Sequence, residues 1–201
     1  AMAILTCLEY ALAGEDQQLL DFALGAFPVA RAYGDRLTGF FPESVNLQWP
    51  QSPEARGQTC ELCEVGDMVR IALRLAEAGL GDEYWDDADM WLRNQLAEGQ
   101  FLRHDWIYRL HYGDPPSRIG PNVSFNIVEE GGGGATTDRV GERNIGAFAG
   151  WQSPNDWVEF ERRTGASYES RGYVQGIMHC CTANAARALY DAWRNVVHDR
   201  D

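Results

Sequence analysis

The chain of 201 residues contains no apolar run approaching the roughly 20 residues that span a bilayer. Its opening residues, Ala1-Met2-Ala3-Ile4, carry neither the basic flank nor the cleavage pattern of a signal peptide. A soluble chain with no membrane partner is expected. Positive charge is scarce: 17 basic residues face 30 acidic ones, for a formal charge of −13 and a pI near 4.7. That balance argues against nucleic acid and anionic membrane surfaces. A neutral partner such as a carbohydrate, or a cation, is easier to accommodate. No self-similarity at a period of roughly 20 to 50 residues marks a solenoid. Gly131 to Gly134 are followed by no Gly-Lys-Ser/Thr, so they are read as a connector and not a phosphate loop. Cysteine is also sparse, with five residues in all. An odd number in clustered positions suits reduced thiols with a metal better than a disulfide framework, and with it a reducing compartment, the cytoplasm.

What is present is a globular composition, 45% hydrophobic and 11% aromatic, long enough for one substantial core and read as a single domain over 1–201. Helical periodicity dominates. Ile4, Cys7, Leu8 and Ala11 share one face before Gly14, with Cys7 expected as a buried structural thiol. Leu19, Leu20, Ala23, Phe27 and Ala30 share another, with Pro28 expected to kink the helix. From Glu64 to Ala78 the stripe Val65, Met68, Val69, Ala72, Leu75 and Ala76 is the clearest, and Gly79-Leu80 reads as a Schellman end. Asp82 can cap a further helix whose face holds Tyr84, Ala88, Trp91, Leu92 and Gln95. In that helix Asp86, Asp87 and Asp89 are expected as a solvated acidic face. Residues 35–59 and 113–175 read as long aromatic and Gly/Pro-rich loops, the first holding Glu43, Trp49 and Glu54. The fold class expected is mainly α: antiparallel helical hairpins with few strands and long loops gathered at one end.

Four of the five cysteines fall into two clusters, Cys60-Glu61-Leu62-Cys63 and, far downstream, Cys180-Cys181. The second lies just before Thr182, a capping residue type, and an Ala-rich run read as a final helix from about Ala183 to His198. At a helix N-terminus, free N–H groups and the helix dipole favour a thiolate, so one or both sulfurs are expected to be more acidic than a free thiol. A vicinal pair does not readily close a relaxed disulfide on itself, so each sulfur needs a partner from elsewhere, with Cys60 and Cys63 the obvious ones. A nucleophile and a metal ligand both have this character.

Glu61-x-Cys63, with Met68 opening the helical stripe and Cys180-Cys181 at a helix start, resembles the zinc-thiolate β-L-arabinofuranosidases of glycoside hydrolase family 127. The stretch Gly150-Trp151-Gln152-Ser153-Pro154-Asn155-Asp156-Trp157 and His179-Cys180-Cys181-Thr182 are similar to uncharacterised six-hairpin relatives of those enzymes. The resemblance implies a Zn²⁺ held by Glu61, Cys63, Cys180 and Cys181, with Cys180 as nucleophile on a neutral furanosidic sugar in a retaining reaction. It also implies an acid upstream of the Glu-x-Cys motif, for which Glu43 is the first candidate and Glu54 the second. A six-hairpin (α/α) barrel needs more helices than this chain supplies, so a partial toroid is expected, completed by a homodimer or by a missing partner segment.

Alternatives stand beside these readings. Cys60 offers a competing four-sulfur set with Cys63, Cys180 and Cys181, the commoner composition for structural zinc. A structural zinc in a non-catalytic carbohydrate-binding or assembly module is the second function class. A thiol redox pair of Cys60 and Cys63 is the third, without the βαβ pattern that usually surrounds one. Trp49, Trp151 and Trp157 are sugar-stacking platforms or packing residues. Asn155 and Asp156 read hydroxyls or hold Asx turns. His179 is a ligand, a partner that orients a thiolate, or a packing residue.

Overall fold

The computed structural model describes residues 1–42, 60–103, 139–152 and 179–197, with Val140, Gly141, Trp151, Gln152 and His179 described by their backbone alone. Two compact units are distinguished, one formed by Ala1–Gln100 with Phe148–Asp201 and the other by Phe101–Ala147. The described residues are mainly helical, as the periodicity requires.

In the first unit α1 (Met2–Gly14) and α2 (Gln17–Arg31) pack against each other across a two-residue link. Glu15 there adopts a left-handed conformation, and the Asp16 carboxylate accepts the Leu19 N–H at 3.1 Å, capping α2. Leu5, Leu8 and Ala11 of α1 and Ala23 and Phe27 of α2 are buried. Cys7 is only half-buried, and Pro28 lies inside α2 in its last turn. The aromatic centre of the unit is Trp91, met edge-on by Phe27 and Phe41.

The unit is organised around α3 (Leu62–Glu77), which packs against α1, α4 (Glu83–Trp91) and the last described helix (His179–Arg194). All six apolar residues of its sequence stripe are buried, and Leu62, Cys63, Gly66, Asp67, Ile71 and Leu73 are buried as well. Its end is the Schellman motif the sequence suggests: Leu80 N–H reaches Leu75 O and Gly79 N–H reaches Ala76 O, both at 3.0 Å, with Gly79 at φ 70°. Helix α4 runs on into a π-helical turn, Leu92–Leu96, and a 3₁₀ turn, Ala97–Gly99. A two-stranded antiparallel ladder joins β1 (Cys60–Glu61) to β2 (Trp151–Gln152), with Cys60 opposite Gln152 and Glu61 opposite Trp151.

α6 (His179–Arg194) lies along α3 and buries Cys181, Ala185 and Ala188 at helical spacing. The crossing is close because Gly66 has no side chain. A Cβ built there would stand 3.2 Å from Asn184 O and 3.6 Å from Ala188 Cβ. The chain has no lysine, and arginines carry the described side-chain ion pairs. Arg70 pairs with Asp191 at 2.9 Å, Arg74 bridges Glu9 at 2.9 Å and Glu77 at 2.8 Å, and Asn195 donates to Glu77 at 2.6 Å. These contacts fasten α6 to α3 and α3 to α1.

The acidic run of α4 is not uniformly solvated, which corrects the sequence reading. Asp87 is buried and pairs with Arg31 of α2, while Asp89 stays exposed and pairs with Arg93 at 2.6 Å. The reason is tertiary: α2 brings a guanidinium to that face.

In the second unit the described residues are Phe101 to Arg103 and 139–147, including the short helix α5 (Val140–Arg143). Phe101 N–H donates to Ala147 O and Gly146 N–H to Phe101 O, both at 2.7 Å. Gly146 sits at φ 91°, a conformation that suits glycine.

Asp67, buried on α3, yields a pH prediction. Burial, then the Glu64 carboxylate, pushes its carboxyl up to about 6, against the opposing pull of the Ala1 amino group and Arg70. The folded protein therefore holds that proton more tightly than the unfolded chain. The resulting stabilisation is complete below the ordinary carboxylate range and lost as the pH rises through 6. Asp67→Asn is expected to stabilise the protein at pH 7.5 by ~1–2 kcal/mol and to lose that advantage at pH 4. Urea melts at the two pH values check it, and an Asn variant no more stable than wild type at pH 7.5 refutes it.

Candidate metal centre

Glu61, Cys63, Cys180 and Cys181 come together, their four donor atoms all within 4.8 Å of one another. Three local features bring this about. Glu61 occupies the N-cap position of α3 but makes no capping bond with its side chain, which leaves the carboxylate for the cluster. Cys63 lies in the first turn of α3, and Cys180 and Cys181 lie in the first turn of α6. Both helices thus present their positive ends to the donors.

The final helix begins at His179, four residues earlier than the sequence suggests, and Thr182 is not its cap. Its Oγ1 instead accepts the N–H of Phe148 and donates to the carbonyl of Phe148, both at 3.1 Å. A tertiary partner has taken the hydroxyl that sequence reasoning assigned to the helix end.

The distances suit a small tetrahedral cation. With zinc bonds of about 2.3 Å to sulfur and 2.0 Å to oxygen, tetrahedral edges are roughly 3.8 Å for S···S and 3.5 Å for S···O. Cys180 Sγ and Cys181 Sγ are 3.7 Å apart, and Cys181 Sγ is 3.6 Å from Glu61 Oε1. Cys63 Sγ and Cys181 Sγ, at 3.2 Å, need to open by about half an ångström to reach the tetrahedral S···S edge. None of the five cysteines is in a disulfide. Exposure divides the three cysteines: Cys63 and Cys181 are buried, and Cys180 is the more open.

Electrostatics point the same way. Burial pushes the Cys63 thiol far up, helped by its hydrogen bond to Cys181 and by the nearby charges of Cys181 and Glu61. Burial likewise pushes Cys181 up to about 12, with Glu61 and Cys180 adding to the rise. This reverses, at Cys181, the expectation that the helix start makes the thiol acidic. Desolvation and neighbouring negative charge outweigh the dipole until a cation balances them. A donor set of this composition, within these distances, could hold a cation.

Cys60, the alternative ligand, stands outside this cluster. It is fully buried and accepts Gln95 Nε2–H at 3.0 Å. Gln95, in the π-helical turn after α4, was legible only as a polar residue on the apolar face of the helix expected after Asp82. The backbone segment Phe148 to Gly150 is the other contributor that sequence reasoning missed. Its sequence signal is the Gly-Trp-x-Ser-Pro-Asn-Asp-Trp stretch that begins at Gly150. Of the remaining candidates, Glu43, Trp49, Glu54, Asn155, Asp156 and Trp157 lie outside the described residues. Trp151 is placed by its backbone opposite Glu61, and His179 by its backbone at the start of α6.

No helix among the described residues is long and apolar enough to cross a membrane. Compared with protein-family models, curated proteins and solved structures, the chain matches none of them.

Proposed function

We propose that the chain is a zinc-thiolate glycoside hydrolase of the kind its sequence resembles, acting on a neutral furanosidic sugar with Cys180 as nucleophile. The observation that carries this reading is the division of exposure within the cluster. Cys63 and Cys181 are buried as anchors, while Cys180 is the most open of the three cysteines. Glu61, Cys63, Cys180 and Cys181 are the residues that hold the ion, and a bound Zn²⁺ supplies the positive charge that keeps the sulfurs as thiolates at neutral pH.

The chemistry then belongs to the side chains. Cys180 Sγ attacks the anomeric carbon, forming a C–S bond as the bond to the leaving oxygen breaks. A carboxylic acid, for which Glu43 is the candidate, gives its proton to that oxygen. The resulting carboxylate takes a proton from water, whose oxygen displaces the sulfur and regenerates the Cys180 thiolate. Two displacements at one carbon retain its configuration. The helices form part of a toroid of hairpins in this proposal. The exposed apolar side chains Tyr10, Phe22 and Val29 of the first two helices support a covering partner or second copy.

A structural zinc is the second reading, favoured by the fact that the ligands come from the start of α3 and the start of α6. One experiment separates the two. Cys180→Ala is expected to abolish turnover of an activated aryl furanoside while leaving the melting temperature within a few degrees of wild type. Cys181→Ala should lose both activity and stability, since a buried anchor goes with it. Wild-type protein inactive on a panel of aryl glycosides, with both variants equally unstable, leaves only the structural role. Light scattering on the same samples reports the second copy, and a monomer at every concentration removes that part.

A further inference from the structure

We propose that Thr182 is the positioning residue of the metal centre, fixing the Cys180–Cys181 turn through its paired hydrogen bonds to the backbone of Phe148. The inference rests on the metal reading above and adds a residue to it.

A chelate that joins distant segments needs those segments held in register. Cys63 and Cys181 are separated by 118 positions, so their sulfurs meet only as accurately as α6 is held against α3. The Gly66 crossing sets how close the two helices lie. It does not by itself fix the rotation or axial position of the first turn of α6. Thr182, the residue after Cys181, supplies that restraint. One hydroxyl both donates to and accepts from the same residue, at 3.1 Å each way, so Oγ1 is held from two directions.

The anchor is itself tied to the other ligands. Phe148 bridges Gln100, and Ala149 N–H donates to Gly99 O at 2.9 Å, which fixes this segment at the end of the α4 extension. Gly150 O accepts Leu62 N–H at 3.1 Å, and Trp151 lies opposite Glu61 in the ladder. The five residues from Phe148 to Gln152 therefore form a strap. It contacts β1 and α3 beside Glu61 and Cys63 at one end, and α6 beside Cys181 at the other. Thr182 is the side chain by which α6 takes hold of it. Partners outside the ligand shell that orient metal ligands characteristically cost about 10- to 100-fold in metal affinity when removed.

The test uses the full chain and the metal alone as probe. Zn²⁺ affinity is measured by competition with a chromophoric chelator for wild type, Thr182→Val, Thr182→Ser and Cys181→Ser. The thiolate-to-cobalt charge-transfer band of Co²⁺-loaded samples gives a second readout. Thr182→Val keeps the shape and removes the hydroxyl, so its affinity should fall about 10- to 100-fold, with an altered Co²⁺ band and unchanged far-ultraviolet circular dichroism. Thr182→Ser should restore both. A Val variant that binds as tightly as wild type overturns the proposal. So does a Ser variant that fails to rescue, or a Val variant that loses its helical signal, since Thr182 would then serve the fold and not the site. Wild type indistinguishable from Cys181→Ser fails the metal reading itself, which keeps the two failures apart.

Discussion

Stripping the cation from the Glu61–Cys63–Cys180–Cys181 cluster is expected to lower the melting temperature by about 10 °C. The figure follows from linkage: an ion at a thousand times its dissociation constant stabilises the folded state by about 4 kcal/mol. For a chain of this length each kcal/mol moves the transition by roughly 2–4 °C. The stabilisation is direct because the donors sit on segments that separate on unfolding. Cys63→Ser should remove most of it. The pH dependence has a definite sign, since the raised Cys63 and Cys181 thiols must give up protons to bind. Apparent affinity should therefore fall as the pH is lowered. Calorimetry with and without chelator, alongside elemental analysis, is the check. A purified protein without metal, whose melting temperature ignores added zinc, would exclude the site.

The second large effect lies outside the cluster. Arg31→Met leaves Asp87 buried without its guanidinium. Burial already raises the Asp87 carboxyl above its usual range, and Arg31 is the chief influence opposing the rise. Removing one partner of a buried pair typically costs about 3–5 kcal/mol, because the charge left behind has lost both water and counter-ion. Arg31 is partly accessible, so ~3 kcal/mol is the expectation. With its native carboxyl pushed still higher, the variant should recover stability as the pH falls and Asp87 takes up a proton. Adding Asp87→Asn to Arg31→Met should restore part of the loss at neutral pH. Denaturant melts at pH 5 and pH 8 decide the matter, and equal losses at both would show that Asp87 is not the charge responsible.

These two cases mark what could be read from the chain. The α3 stripe and its Gly79–Leu80 end were legible because period and turn chemistry act within a few residues. The cysteine clusters were legible as clusters because sulfur is rare and has few roles. Asp87 was not legible as buried, since its counter-ion comes from 56 residues away. Nor was the β1–β2 ladder, because two-residue strands carry no alternation to detect. Thr182 misled for a related reason. A hydroxyl beside an Ala-rich run looks like a cap until a distant backbone claims it, and the start of α6 moved accordingly.

The Gly66 crossing has a mechanical consequence. Asn184, where the backbone of α6 rests against α3, divides the helix unequally. At about 1.5 Å of rise per residue, Cys181 lies ~4.5 Å from that contact and Trp193 ~13.5 Å on the other side. α6 is thus seated on α3 twice: by close backbone contact near the cluster, and by the Arg70–Asp191 and Asn195–Glu77 pairs toward its far end. Contacts made or shed by the exposed Tyr190 and Trp193 therefore act on a helix clamped on both sides of its middle, and the first turn with Cys181 is shielded from them.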